Sequence, residues 1–189
     1  MAKVYVFLAD GFEDVEALIP VDVLRRGGVE VTTVSVVEES LLVESAHGVQ
    51  LFADEMFGDC DFSDADLLLL PGGMPGATNL YEHEGLCDAL KAHAAKGRRL
   101  AAICAAPGVV LGQLGLLRGR RATCYPGFER MMDGATYTAD LFTTDGTITT
   151  GEGPAAAFPF AYELLALLKD RQTSGQVAEG MRFKHLMEK

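Results

Sequence analysis

The chain has 189 residues, 49% of them apolar, with 16 basic against 27 acidic side chains and a formal net charge of −11. That length and apolar content suit one domain, expected over residues 1–189, whose core needs neither disulfides nor a metal. The acidic balance repels phosphate backbones and anionic lipid, so neither nucleic acid nor a membrane is expected as a partner.

Residues 4–9 form a short apolar run that stops at Asp10-Gly11. It is too short for a signal-peptide core or a spanning helix and reads as a first strand. A helical pattern over 15–24 follows, then a β-branched run over 29–36. This alternation predicts βαβ units around a parallel sheet. Short alternating pieces with Gly48 occupy residues 36–54 and read as small additions to the sheet.

Leu67–Leu70 has no polar face and ends at Pro71-Gly72-Gly73, the pattern of a central strand buried on both sides. After a helical pattern over 86–95 comes a second buried run over 99–104, followed at once by Ala105-Ala106-Pro107. Proline suits a first helical turn, which places Cys104 where strand becomes helix. Residues 143–150 predict a hairpin turning at Asp145-Gly146, again as a small addition. Helices are predicted over 158–168 and 177–186.

Cys60, Cys87, Cys104 and Cys124 contain no C-x-x-C pair and no histidine at ligand spacing. Reduced thiols in a cytoplasmic protein, with no metal or cofactor, are the expectation. His47, His83 and His93 read as surface residues, and His47 alone is expected to approach a functional site through a neighbouring subunit. No G-x-G-x-x-G follows the first strand and no G-x-x-x-x-G-K occurs, so a nucleotide role has no support.

Open α/β sheets take ligands beyond the carboxyl ends of their strands, which singles out three loops. They are 10–16 with Glu16, 71–76 with Gly72 and Gly73, and 104–106. At a strand-to-helix turn, a helix N-terminus favours a thiolate at Cys104, and the Gly73 and Ala105 amides are placed to face an oxyanion. Position alone also suits a buried, unreactive cysteine and a solvated first-turn glutamate.

Taken together, Gly11-Phe12-Glu13-Asp14-Val15-Glu16, Ile19-Pro20-Val21-Asp22, Leu70-Pro71-Gly72-Gly73-Met74-Pro75-Gly76, Ala102-Ile103-Cys104-Ala105-Ala106-Pro107 and Gly153-Pro154 resemble the ThiJ/PfpI superfamily. The resemblance spans nearly the whole chain and is to the branch of the Parkinson-disease-associated protein deglycase and its bacterial ThiJ/YajL-like members. It implies a flavodoxin-like three-layer α/β sandwich with a mostly parallel central sheet and a small hairpin. It also implies a reactive Cys104, a protonated partner Glu16, backbone donors at Gly73 and Ala105, and a homodimer paired through the first helix. In a monomer, Val15, Leu18 and Ile19 would instead be ordinary core residues.

The expected activity is cofactor-free handling of small reactive aldehydes or glycated substrates, glyoxalase or deglycase in type, in carbonyl or oxidative stress defence. The alternative is a redox-sensing or chaperone-like protein whose Cys104 oxidises to a sulfinic acid. Tyr125 stands where related proteins carry a histidine, and with Gly72 and Cys124 it is expected to line the substrate pocket. A tyrosine is no base at neutral pH, so acid–base duty falls to Glu16. The same absence lowers the rank of peptidase and amidotransferase chemistry.

Overall fold

The computed structural model describes residues 1–183 and 185. The first strand, β1 (Lys3–Leu8), leads through helix α1 (Asp14–Arg26) to β2 (Glu30–Ser35), which pairs parallel to β1. Beyond it stand a separate antiparallel hairpin, β3 (Leu42–Glu44) and β4 (Gln50–Phe52), and the short edge strand β5 (Glu55–Met56). The chain then crosses to the other side of β1 as β6 (Leu67–Leu70). Helices α2 (Gly76–Glu82) and α3 (Glu84–Ala95) carry it to β7 (Arg99–Ile103).

A single π-helical turn, Pro107–Gly112, follows β7, and β8 (Arg121–Ala122) pairs with β9 (Thr136–Tyr137) in a minor two-stranded sheet. The hairpin β10 (Phe142–Asp145) and β11 (Ile148–Gly151) precedes α4 (Ala157–Leu168) and α5 (Arg171–Gly180). The main sheet has the order β10-β11-β7-β6-β1-β2-β5, and only β10 runs antiparallel. Because the chain moves one way from β1 to β2 and the other way from β6 to β7, right-handed crossovers put α1 and the α2–α3 pair on opposite faces. Helix α4 packs on α1, and α5 on α4. This is the flavodoxin-like three-layer architecture.

The structure refines several of these expectations. The 143–150 hairpin adds to the main sheet at its edge, β11 running parallel to β7 with Thr150 opposite Ala102, whereas the 36–54 pieces give the β3–β4 hairpin as a sheet of its own. The pattern read over 177–186 covers the end of α5, Arg171–Gly180, and the helical residues Phe183 and His185, while residues 184 and 186 lie outside the described residues. The helical pattern after Cys104 yields only one wide turn. His93 is buried at 4% exposure, on the α3 face that carries Leu86 and Leu90. Val15 and Leu18 are 38% and 43% exposed rather than core, because α1 buries Ala17, Val21 and Leu24 instead.

No helix among the described residues is long and apolar enough to cross a membrane.

Candidate active site

The loops after β1, β6 and β7 meet where strand order reverses, between β1 and β6. Glu13 caps α1, its carboxylate accepting from the Glu16 amide at 2.8 Å. That cap fixes Glu16 in the first turn, where its side chain is wholly buried. Glu13 was not singled out from sequence, although its place three residues before Glu16 is the spacing of an N-cap and the amide it satisfies.

Cys104 has φ of 66°, a left-handed backbone that costs a non-glycine residue on the order of 1–3 kcal/mol. The surroundings impose it from both sides. Its amide donates to the Gly151 carbonyl at 2.9 Å, and its carbonyl accepts from the Tyr125 amide at 2.8 Å. The Cys104 side chain thereby turns toward Glu16, with the Gly73 and Ala105 amides near enough to favour a thiolate at its sulfur. Cys104 is 9% exposed.

Gly72 closes the arrangement. Its amide donates to Glu16 Oε2 at 3.0 Å. The other carboxyl oxygen, Oε1, is buried with no nitrogen or oxygen partner and has the Cys104 thiol as its polar neighbour. Gly73, with φ of 91°, lies so close to the first loop that a Cβ would stand 2.4 Å from the Gly11 carbonyl oxygen.

Burial raises the Glu16 carboxyl to about 7, assisted by the charge of Glu13 and opposed by Cys104 and the Gly72 amide. Burial and the Glu16 carboxylate push the Cys104 thiol up to about 12, against the pull of the two amides. Glu16 raises the thiol only while ionised; once protonated it is a neutral donor to sulfur. The two groups therefore titrate as one unit, losing a first proton at about 7 and a second at about 12, so that between those values the pair holds one negative charge.

Tyr125 is half exposed and its ring lies against Gly153, where a Cβ would come within 3.1 Å. Cys124 is wholly buried, so it offers no surface to a ligand, contrary to the expectation that it lines the pocket. Burial holds its thiol near 12. His47 lies on the surface, Nδ1 at 2.6 Å from Asp14 Oδ2. Glu13, Asp14 and His47 bring potential ligand atoms within 4.8 Å of one another, but the α1 cap and the Asp14 contacts to Ser45 and His47 already use them.

Residues 2–167 match the DJ-1/PfpI family. The chain belongs to that family. It is 33% identical to the protein dj-1beta of Drosophila melanogaster over 93% of this chain and 94% of that one. To DJ-1 homolog B of Arabidopsis thaliana it is 39% identical over 93% of its length, and it spans about two fifths of that longer relative, 40%. A relative from Caenorhabditis elegans, 31% identical over 83% of each chain, is named a glutathione-independent glyoxalase.

Among solved structures, oxidized DJ-1 of Toxoplasma gondii superposes with a TM-score of 0.92 at 35% identity, covering 96% of this chain and 98% of that one. A DJ-1 superfamily protein from Salmonella typhimurium, solved as a cysteine-to-alanine mutant, gives 0.91 at 34% identity over the same shares. These relatives thus match the fold over nearly the whole chain.

Proposed function

We propose that the protein converts small reactive aldehydes, of which methylglyoxal is the simplest dicarbonyl example, to hydroxy acids without cofactor. The observation that carries this reading is the buried carboxyl of Glu16 beside the Cys104 thiol. Above about 7 the pair holds one negative charge; the amides of Gly73 and Ala105 pull it toward sulfur against the push of burial, and charge on sulfur leaves a thiolate beside a carboxylic acid. Family membership and the glyoxalase name of one relative support it further.

The thiolate adds to the aldehyde carbon, and the resulting oxyanion takes the Glu16 proton to give a hemithioacetal. The Glu16 carboxylate then removes the hydrogen on that carbon as a proton, giving an enediolate, and returns it to the neighbouring carbon while the hydroxyl proton passes to that carbon's oxygen. The product is a thioester, which water hydrolyses to lactate and free thiol. Atoms balance as one methylglyoxal and one water to one lactic acid. The same addition to a sugar-like adduct on an amine or thiol would be deglycation. Tyr125, at the mouth, orients the substrate by hydrogen bonding and moves no proton.

A second reading, redox sensing through a Cys104 sulfinic acid, is favoured by one observation: the two amides and Glu16 that surround the sulfur would equally hold sulfinate oxygens. Peptidase and amidotransferase chemistry lacks a base, since no histidine contacts Cys104 or Glu16 among the described residues. We also take residues 1–189 as one domain and expect a homodimer through α1 and the β3–β4 hairpin, whose Val15, Leu18, Val49 and Phe52 are exposed.

The test is lactate formation from methylglyoxal without glutathione by metal-free protein. Turnover by wild type, lost in both Cys104→Ala and Glu16→Gln, supports the aldehyde reading. No lactate from wild type, with selective gain of two oxygens at Cys104 under mild peroxide, replaces it by the sensor.

A further inference from the structure

A second concavity, apart from the Cys104 pair, opens at the carboxyl edge of the sheet on the β1–β2–β5 side, with a volume of about 750 Å³. Its walls are the segments that leave β1, β2 and β5, and its roof is the end of α2 with His83. It adjoins the reversal of strand order, where open α/β sheets take their ligands. The walls are tied in place. Asn79 Nδ2 donates to the Asp10 carbonyl at 2.8 Å, and buried Ser35 Oγ accepts from the Val37 amide at 3.1 Å. A cavity held this way needs little ordering on binding.

Its floor is apolar, with Val36, Val37 and Met56, and with Phe57 against the His83 ring at 4.4 Å between centroids. His83 Nδ1 already accepts from the Leu86 amide as the cap of α3. The rim is acidic: Asp10, Glu38, Glu39, Asp59 and Glu82 line the cavity, and no lysine or arginine does. Among the described residues none of these five forms a salt bridge, and only Asp10 accepts a side-chain hydrogen bond, from the Glu44 amide. Five carboxylates around one cavity repel one another and repel any phosphate, whereas an entering cation relieves that repulsion.

We propose that this cavity binds a small organic cation, an ammonium or guanidinium group carried on an apolar body. The cationic head lies among the rim carboxylates, and the body covers Phe57 and Met56. Anionic nucleotides, which flavodoxin-like proteins hold at this edge of the sheet, are excluded by the same charges. The site does not depend on Cys104 and stands whether or not the protein turns over aldehydes.

The test titrates the full chain with phenethylammonium, phenethyl alcohol and hydrocinnamate, which share one apolar body and differ in charge, and follows backbone amide shifts by NMR. Phenethylammonium is expected to move the amides of residues 35–39 and 56–59, with the alcohol weaker by about tenfold and the anion silent. The Glu38→Gln/Glu82→Gln double variant, changed only at exposed positions, is expected to bind the ammonium about tenfold more weakly. Cys104→Ala is expected to bind it as wild type does. Equal binding of the alcohol, shifts centred elsewhere, no shift at millimolar probe, or an unaffected double variant would each overturn the proposal.

Discussion

Gly72 and Glu16 fit together with no room for a methyl group. The amide of Gly72 donates to Glu16 Oε2 at 3.0 Å, and a Cβ at Gly72 would stand 2.5 Å from that same oxygen and 2.6 Å from the Cβ of Cys104. Glycine is required here for space rather than for a left-handed backbone.

Gly72→Ala is therefore expected to force Glu16 and Cys104 apart, with a loss of about 1–3 kcal/mol from overpacking. Urea unfolding measures the stability, and alkylation of Cys104 measures the site. A variant as stable and as reactive as wild type would show that the loop yields without disturbing the pair.

Glu16→Gln separates the carboxyl's charge from its shape. Burial raises the folded Glu16 carboxyl from the usual 4.5 to about 7, so over that window the native state keeps a proton that the unfolded chain has lost. Stability then falls as pH rises through the window and levels off above it. The decline sums to about 3 kcal/mol relative to a variant without the group. Denaturant unfolding of wild type and Glu16→Gln at a series of pH values is expected to show the difference growing to about pH 7; a constant difference would place the titration elsewhere.

The shared charge also predicts how Cys104 reacts. If sulfur carries it, alkylation by iodoacetamide rises with pH only to about 7 and then flattens. If Glu16 carries it, the rate keeps climbing well above pH 9, as for an ordinary buried thiol. Thiolate ultraviolet absorbance, with Cys104→Ala as the blank, reads the same choice directly.

Leu18 tests the proposed pairing. At 43% exposure, Leu18→Glu is expected to leave the monomer fold intact and to convert a dimer into a monomer by light scattering. A monomeric wild type would remove the pairing proposal, and a large loss of stability in the variant without dissociation would mean that Leu18 is packed within the subunit.

Much of this architecture was legible because its signals are local. Leu67–Leu70 and the run ending at Ile103 lack polar faces, and each stops at small residues or proline, which marks both strands and the loops beyond them. Glu16 was legible as a first-turn acid, but not as a buried one. Its burial depends on Gly72 and Cys104, which arrive from strands far along the chain. The hairpin turn at Asp145-Gly146 was plain, yet no turn says that β11 joins β7. On α1, residues 15 and 18 look as apolar as 17, 21 and 24, and only the packing of α4 shows which stripe the subunit covers. His93, spaced seven residues after Leu86 and three after Leu90, carried a burial signal that its polarity masked. The left-handed backbone of Cys104 has no sequence signature, since any side chain other than glycine is unusual there.

That backbone has a consequence beyond catalysis. A glycine at 104 would relax the strain while emptying the site of its sulfur, so the sturdier chain at this position is the chemically inert one. In a lineage that had ceased to use the thiol, drift at residue 104 would run downhill toward glycine. A cysteine held at φ of 66° marks a residue whose chemistry and whose contribution to the fold pull in opposite directions.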